Sequence, residues 1–205
     1  IGSGVRHADI EDGVYSLLRG HMVQTVAGRI AYRGVRNRGT IGGSLSHADP
    51  AADWVVTMLA LNAQIEVMDA RKQTRLINMR DFMIAAYTTE LQEGEILTAV
   101  LVPAISERSR FSYYKFARKV GEFAEASCAC YFDSTTKTAR IAVGALDGAP
   151  QLLTELAVQV AAQGSSILDT DTIEKAVLEL TQNLSPLKQR QFIAVVRRSI
   201  AQLIG

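Results

Sequence analysis

The sequence predicts an α+β protein in two units, residues 1–108 and 109–205, and three observations predict it. Strand-like and helical runs do not alternate regularly, as a doubly wound parallel sheet would require. Three strand-like runs, FSYYKF, ASCACYFD and ARIAVGALDG, follow one another within residues 111–148, and three helical stretches come after them. The polar segment Ala104–Arg110, directly after Pro103, separates this part from the more mixed first half.

The elements follow in order. Ile10–Ala31 reads as a broken helix, apolar at helical spacing and interrupted by Gly13 and Gly20. Asp49 is expected to cap the next helix with Pro50 in its first position, and AADWVVTMLALNA carries the apolar spacing. Gln64–Met68 alternates like a strand, Asp69–Gln73 turns, and Thr74–Ile77 returns. Asn78–Ala86 reads as a short amphipathic helix. The turn Glu93–Glu95 leads into ILTAVLVP, a strand ended by Pro103. In the second unit two strands surround Gly121 and a third completes a three-stranded antiparallel sheet. Helices over Gln151–Ala162, Thr170–Gln182 and Pro186–Leu203 are expected to pack as a bundle on one face of it.

Composition narrows the functional classes. Lys+Arg 22 against Asp+Glu 21 leaves a net charge of +1, so the chain has no electrostatic footprint for nucleic acid. Its 48% hydrophobic and 21% charged residues are ordinary for a globular protein, and no apolar run is long enough for a membrane span. The opening IGSGVRHADIEDG has neither the basic nor the apolar region of a secretory signal; lacking an initiator Met, it reads as though cut from something longer. Cys128 and Cys130 share one face of a strand, where they are badly placed to bridge. They are expected as buried thiols in a reducing, cytoplasmic compartment. Two cysteines cannot supply the thiolates of an iron–sulfur cluster.

The segment VRNRGTIGGSLSHADPAAD, residues 35–53, carries the most chemistry. Gly39 and the pair Gly42-Gly43 permit positive φ, so successive N–H groups can face a common point and cradle an anion. Thr40 and Ser44 add hydroxyl donors. The spacing is not the G-x-G-x-x-G dinucleotide fingerprint, so a phosphate cradle of another architecture fits better. At least two of Arg33, Arg36 and Arg38 are expected as solvated surface. Asp53, one turn into the helix, can complement its dipole. His47, Asp49 and Asp53 could be drawn as a metal site. Asp49 is expected to be engaged as a cap and no second His is near, so no metal is expected.

RNRGTIGGSLSHADPAAD closely resembles the second flavin-binding motif of the FAD-binding subunits of molybdenum hydroxylases, the family of the carbon monoxide dehydrogenase medium subunit and the xanthine dehydrogenase FAD domain. Other stretches agree in order. IGSGVRHADIE is similar to the family's strand and turn ahead of that motif. GEILTAVLVP resembles the strand closing the flavin domain, YYKFARKVGEFA the opening of the C-terminal domain, and KQRQFIAVVRRSIAQL its last helix. The resemblance implies the second subdomain of a PCMH-type FAD-binding domain followed by a small C-terminal domain. It also implies that the sequence starts after the family's N-terminal FAD subdomain, which carries the other half of the phosphate clamp. On that expectation this piece alone binds FAD weakly or not at all, and apolar surface is left for partner or self association.

The same resemblance implies roles for particular residues. Thr40, Ile41, Gly42, Gly43 and Ser44 would wrap the FAD pyrophosphate, and Asp53 would hydrogen-bond the ligand near its ribose and phosphate. Leu97 would pack on the flavin or adenine side. Lys115 would lie near the isoalloxazine, where a cation stabilises anionic reduced flavin. Ser3 and Gly4 fall where the family's chain passes close to the cofactor. No residue is expected to be catalytic, because substrate is oxidised on a partner. The resemblance implies that this partner is a molybdopterin-binding large subunit, that a small subunit carries two [2Fe–2S] clusters, and that the whole is a dimer of heterotrimers. The implied function is an electron-transfer subunit passing electrons from those clusters through FAD to an external acceptor. A truncated, flavin-free scaffold of such a complex is the alternative. A stand-alone flavin alcohol oxidase would need a general base in this chain, and none of His7, His21 and His47 is assigned that role.

Overall fold

The computed structural model describes residues 1–205. Its first half begins with short helices α1 (His7–Glu11), α2 (Met22–Ala27) and α3 (Arg33–Arg36). The broken helix expected over 10–31 therefore resolves into the end of α1, one 3-10 turn at Ser16–Leu18, and α2. Then come α4 (Ile41–His47) and α5 (Asp53–Ala60). Helix α5 starts three residues later than the Asp49-Pro50 signal predicts. Asp49 Oδ1 instead accepts a hydrogen bond from the Ala51 N–H at 2.8 Å, closing a local turn two residues on. Ala52 is the N-cap and contributes no side-chain bond. All eight residues of α5 are buried, which is why its sequence shows no polar face.

An antiparallel sheet follows, built from β1 (Gln64–Met68), β2 (Thr74–Asn78) and, after a single-turn helix α6 (Met79–Phe82) and a small hairpin of β3 (Met83–Ala85) with β4 (Thr88–Thr89), β5 (Ile96–Leu101). Strand β1 is central, pairing Gln64 with Asn78 on one side and with Leu101 on the other. The first residues of the chain extend this sheet: Ser3 N–H donates to Thr98 O and Val100 N–H to Ile1 O, both at 2.8 Å. The amphipathic helix expected over 78–86 is cut short at Phe82, because the chain reverses at Tyr87 (φ +58) and pairs as strands instead.

The second half contains β6 (Ser109–Phe116), β7 (Ala126–Asp133), β8 (Thr138–Gly144) and β9 (Gln151–Leu152), then α7 (Thr154–Gln163), α8 (Thr172–Leu180) and α9 (Pro186–Ile204). The sheet runs β6-β7-β8-β9, all antiparallel. The three expected strands are present, and the two-residue β9 adds an edge where the sequence pattern suggested the start of α7. The C-terminal helices cover one face, as expected. The other face is not open: α5 covers it, and the Arg140 guanidinium on β8 donates to the last carbonyls of α5, Leu59 O at 2.9 Å and Ala60 O at 3.1 Å.

Burial on both faces explains the composition of ASCACYF. Successive side chains of a strand point to opposite faces. Ala129 therefore joins the core of the first half, while Cys128 and Cys130 join the core under α7 and α9. Both thiols are fully buried and unbridged, with sulfurs 3.6 Å apart, and Cys130 lies 3.3 Å from Ser199 Oγ on α9. No helix is long and apolar enough to cross a membrane.

Candidate functional site

The Thr40–Ser44 segment is a helix start, not a turn of positive-φ glycines. Neither Gly39, Gly42 nor Gly43 has positive φ. Thr40 is extended (φ −119°, ψ 157°) and acts as N-cap, its Oγ1 accepting from Gly43 N–H at 3.1 Å. The next amides are also engaged, Ile41 N–H with Val5 O at 3.1 Å and Gly42 N–H with Ser3 O at 3.0 Å. The expected cluster of free N–H groups is thus replaced by a crossing, in which residues 3–5 lie over the first turn of α4. That crossing explains Gly42: a Cβ there would sit 2.4 Å from Ser3 Cβ and 2.8 Å from its backbone. A Cβ on Gly43 would meet only Thr40 Oγ1, at 3.1 Å.

Beside this crossing lies a groove of about 370 Å³, lined among others by Ser3, Gly4, Thr40, Gly43, Ser46 and Leu97. Gly42 also reaches it. What the chain offers there is bare backbone with hydroxyls of Ser3, Thr40 and Ser46, bounded on the β5 side by Leu97. Glu95, at the same rim, is held by a bidentate bond from Arg75 at 2.8 Å, which pulls its carboxyl down to about 2. Ile41 is not part of the surface; its side chain is fully buried in the core. Ser44, one residue further round the helix, faces a second hollow instead.

Asp53 and Lys115 come together at the seam between the two halves. Asp53 is the first residue of α5, and its Oδ1 accepts from Lys115 Nζ at 2.8 Å and from Tyr113 Oη at 2.6 Å. Asp53 is 6% exposed, and the Lys115 side chain 11%. Tyr113 and Lys115 are two apart on β6, so both point toward the first half. Ser112, just before Tyr113, points the other way and bonds Ser199 on α9. Lys115 Nζ also donates to Arg29 O at 3.0 Å, while Arg29 Nη1 donates to Tyr113 O at 2.9 Å. Burial and the Asp53 carboxylate push the Tyr113 hydroxyl far above its usual pKa, so it remains a donor.

Two hollows flank this pair. One, of about 450 Å³, is lined by five cationic side chains, Arg29, Arg33, Arg36, Lys115 and Lys119, and by no carboxylate. The other, of about 170 Å³, is lined among others by His7, Ser44, Asp53, Glu122 and Phe123. Ala31 and Gly121 border both. Gly121 (φ +88) lets the β6–β7 loop settle against Tyr32 and Ala31; a Cβ there would fall 2.9 Å from the Tyr32 ring.

Of the three arginines upstream of the motif, Arg33 and Arg38 are exposed, as expected of at least two of them, and Arg36 is not. Arg36 makes a bidentate bond to Glu11 (2.8 and 2.9 Å) and donates to Ile30 O and Ala31 O, with its side chain only 12% exposed. Arg33 binds Glu11 and Asp12. Arg33 does so from the exposed surface, and Arg38 is exposed without an ion pair. Arg36 thereby fastens α1, α3 and the turn at Ala31 (φ +40) that borders both hollows. Asp49 and His47 point elsewhere, Asp49 to the Ala51 amide and His47 against Tyr87. Asp53 is committed to Lys115, so the three residues do not converge as metal ligands.

Six expected residues, Ser3, Gly4, Thr40, Gly42, Gly43 and Leu97, therefore border one groove. Asp53 and Ser44 border the second hollow, and Lys115 the third. Gly43 and Ser44 are adjacent on α4, which links the groove to the hollows. The sequence reading missed Tyr113, Arg29 and His7. Tyr113 was discoverable from its i, i+2 relation to Lys115; Arg29 and His7 reach the site through contacts distant in sequence. A bare-backbone groove with hydroxyl donors, a buried carboxylate and a cationic hollow are the groups that a phosphorylated, hydroxylated cofactor such as FAD requires.

Residues 1–105 match the family described as "FAD binding domain in molybdopterin dehydrogenase", and residues 111–204 match "CO dehydrogenase flavoprotein C-terminal domain". The nicotine 6-hydroxylase medium subunit of Paenarthrobacter nicotinovorans is 37% identical over 72% of this chain and 52% of its own length. The carbon monoxide dehydrogenase medium chain of Hydrogenophaga pseudoflava is 36% identical over 46% of this chain and 33% of its own. In structure, quinoline 2-oxidoreductase from Pseudomonas putida 86 superposes with a TM-score of 0.80 at 25% identity, covering 100% of this chain and 74% of that one. The chain spans about half the length of the curated relatives it matches.

Proposed function

Since this chain belongs to the family of FAD-binding domains of molybdopterin dehydrogenases, we propose that it serves as the FAD-binding electron-transfer subunit of a molybdenum hydroxylase. On this reading a large molybdopterin-binding subunit oxidises the substrate, and a small subunit supplies electrons from its [2Fe–2S] clusters. The assembly is a cytoplasmic dimer of heterotrimers. The division of labour within the chain is residues 1–108 for cofactor binding and 109–205 for the C-terminal domain, with the boundary crossed by Lys115. FAD, when bound, accepts electrons from one partner and passes them to another.

The observation that carries the reading is the convergence of Thr40, Gly42, Gly43, Gly4 and Leu97 on one groove, joined through Ser44 to Asp53 and Lys115. Thr40 and the nearby serines offer hydroxyl donors to phosphate oxygens. The buried Asp53 carboxylate accepts from ligand hydroxyls while holding Lys115 in place. Lys115, fixed by Asp53 and Arg29 O, supplies a positive charge beside the site that favours an anionic ligand state. A flavin-free scaffold is the competing reading, and the internal engagement of the Ile41, Gly42 and Gly43 amides favours it, since those donors are already used.

Gly43→Leu separates the two in the assembled complex. Gly43 is exposed and its Cβ direction is open except for Thr40 Oγ1, so the new side chain enters the groove without disturbing the core. Bound FAD, measured by release and quantitation, should fall at least about tenfold, the effect of losing one well-made contact set, with molybdenum and iron contents unchanged. Wild-type complex that carries no flavin, or a Gly43→Leu complex with undiminished flavin, would overturn the proposal.

A further inference from the structure

His7 has one ring nitrogen with a partner and one without. The residue is 4% exposed, and its Nδ1 accepts from the Trp54 indole N–H at 3.1 Å. An indole nitrogen only donates, so Nδ1 is the unprotonated nitrogen of a neutral imidazole and the proton resides on Nε2. Burial and the nearby Arg36 charge keep the ring neutral, lowering its pKa to about 4. Nε2–H makes no hydrogen bond within the chain. It is not a sealed, unsatisfied atom either, since only Ser127 Oγ and Gln191 Oε1 are in that condition. His7 lines the 170 Å³ hollow together with Ser44, Asp53 and Glu122.

The chemistry of those neighbours selects the ligand group. Asp53 uses Oδ1 for both Tyr113 and Lys115, leaving Oδ2 free of any protein donor. Glu122 adds a second carboxylate, and Ser44 a hydroxyl. A phosphate set between two carboxylates would be repelled. A carbonyl could take the proton of Nε2–H but would offer Asp53 nothing. A hydroxyl does both, accepting from Nε2–H and donating to Oδ2. The size of the hollow also suits a short hydroxylated chain or a single sugar ring better than a fused ring system.

We infer that this hollow is a subsite for a hydroxylated segment of the bound dinucleotide, its ribityl chain or its ribose, with His7 Nε2–H as donor and Asp53 Oδ2 as acceptor to the same ligand part. The inference rests on the FAD-binding reading and adds His7 to it as a ligand-contact residue. Trp54 acts through His7: by donating to Nδ1 it fixes the tautomer that leaves Nε2 a donor.

The test uses the assembled complex stripped of flavin and titrated with FAD, with FAD analogues each lacking one ribityl hydroxyl, and with the analogue lacking the adenosine 2′-hydroxyl. In wild type, one analogue should bind at least about tenfold more weakly than FAD, since its missing hydroxyl forfeits both the bond from Nε2–H and the bond to Oδ2. His7→Phe should lose the share of that factor carried by the Nε2–H bond toward FAD and nothing further toward that analogue. His7→Gln, which can accept from Trp54 and still donate, should recover most of the loss and guards against a variant that fails to fold. The analogue affected identifies ribityl or ribose. His7→Phe binding FAD as tightly as wild type would overturn the inference, as would an equal loss toward FAD and every analogue, the mark of a structural or water-only role. Failure of wild type to bind FAD at all would instead remove the reading beneath it.

Discussion

Replacing Lys115 with Met tests the seam between the two halves. The substitution keeps the length and apolar stem of the side chain and removes the ammonium. It leaves Asp53, 6% exposed, with Tyr113 Oη as its sole donor and Arg29 O without its lysine partner. Breaking one side of a buried ion pair costs about 3–5 kcal/mol, because the remaining charge is uncompensated. The lost hydrogen bond to Arg29 O adds about 1 kcal/mol. In the double variant Asp53→Asn with Lys115→Met no charge remains, and the amide oxygen still accepts from Tyr113. That variant should therefore lie within about 2 kcal/mol of wild type, more stable than Lys115→Met alone. Trp54 is the single tryptophan and is fully buried, so urea unfolding of the flavin-free chain can be followed by its fluorescence. A cost below about 1 kcal/mol for Lys115→Met, or a double variant as unstable as the sum of the singles, would refute the account of Asp53 as a buried, charge-compensated anchor.

Two further outcomes are expected. Gly42→Ala should destabilise the chain by about 1–3 kcal/mol, since its Cβ collides with Ser3 and must lift residues 3–5 off α4, whereas Gly43→Ala should be near neutral; equal thermal midpoints would contradict the crossing. The second concerns pH. His7 stays neutral in the folded chain down to about pH 4 but protonates near 6.5 when unfolded, and burial lowers His21 in the same sense. The unfolded state thus binds more protons between these values, so stability is complete above pH 6.5 and falls as pH drops toward 4. His7 accounts for a loss of up to on the order of 3 kcal/mol, and His7→Gln should flatten that part of the curve in denaturant titrations at stepped pH.

The parts legible in the sequence are those with local causes. The strands of the second half, the last helix over Pro186–Leu203, and the unbridged thiols were read from local pattern and spacing. The region around α4 was misread because Gly42 and Gly43 signal backbone freedom in any window of sequence. Only the passage of Ser3 across the helix reveals that Gly42 answers a close approach. Asp49 carries the signature of a helix cap, but Ala51 stands nearer than the helix and takes its carboxylate. The pairing of Arg33 and Arg36 with Glu11 and Asp12 spans more than twenty residues, and nothing local distinguishes such arginines from unpaired ones. Asp53 and Lys115, 62 positions apart, were singled out together only through the family motif, and their direct contact is a product of the fold.

That contact has a bearing on how such proteins can be recombined. The two matched blocks, residues 1–105 and 111–204, look like interchangeable parts when written as a line. In three dimensions a carboxylate from one block is neutralised by an ammonium from the other, under a tyrosine from that same strand. A graft of one block onto a foreign partner inherits half of this arrangement. Unless the incoming strand brings a lysine and a hydroxyl two residues apart, the splice strands a negative charge in the interior at the spot where the cofactor is proposed to lie. The unit that can be exchanged is therefore the pair of blocks, cut outside both.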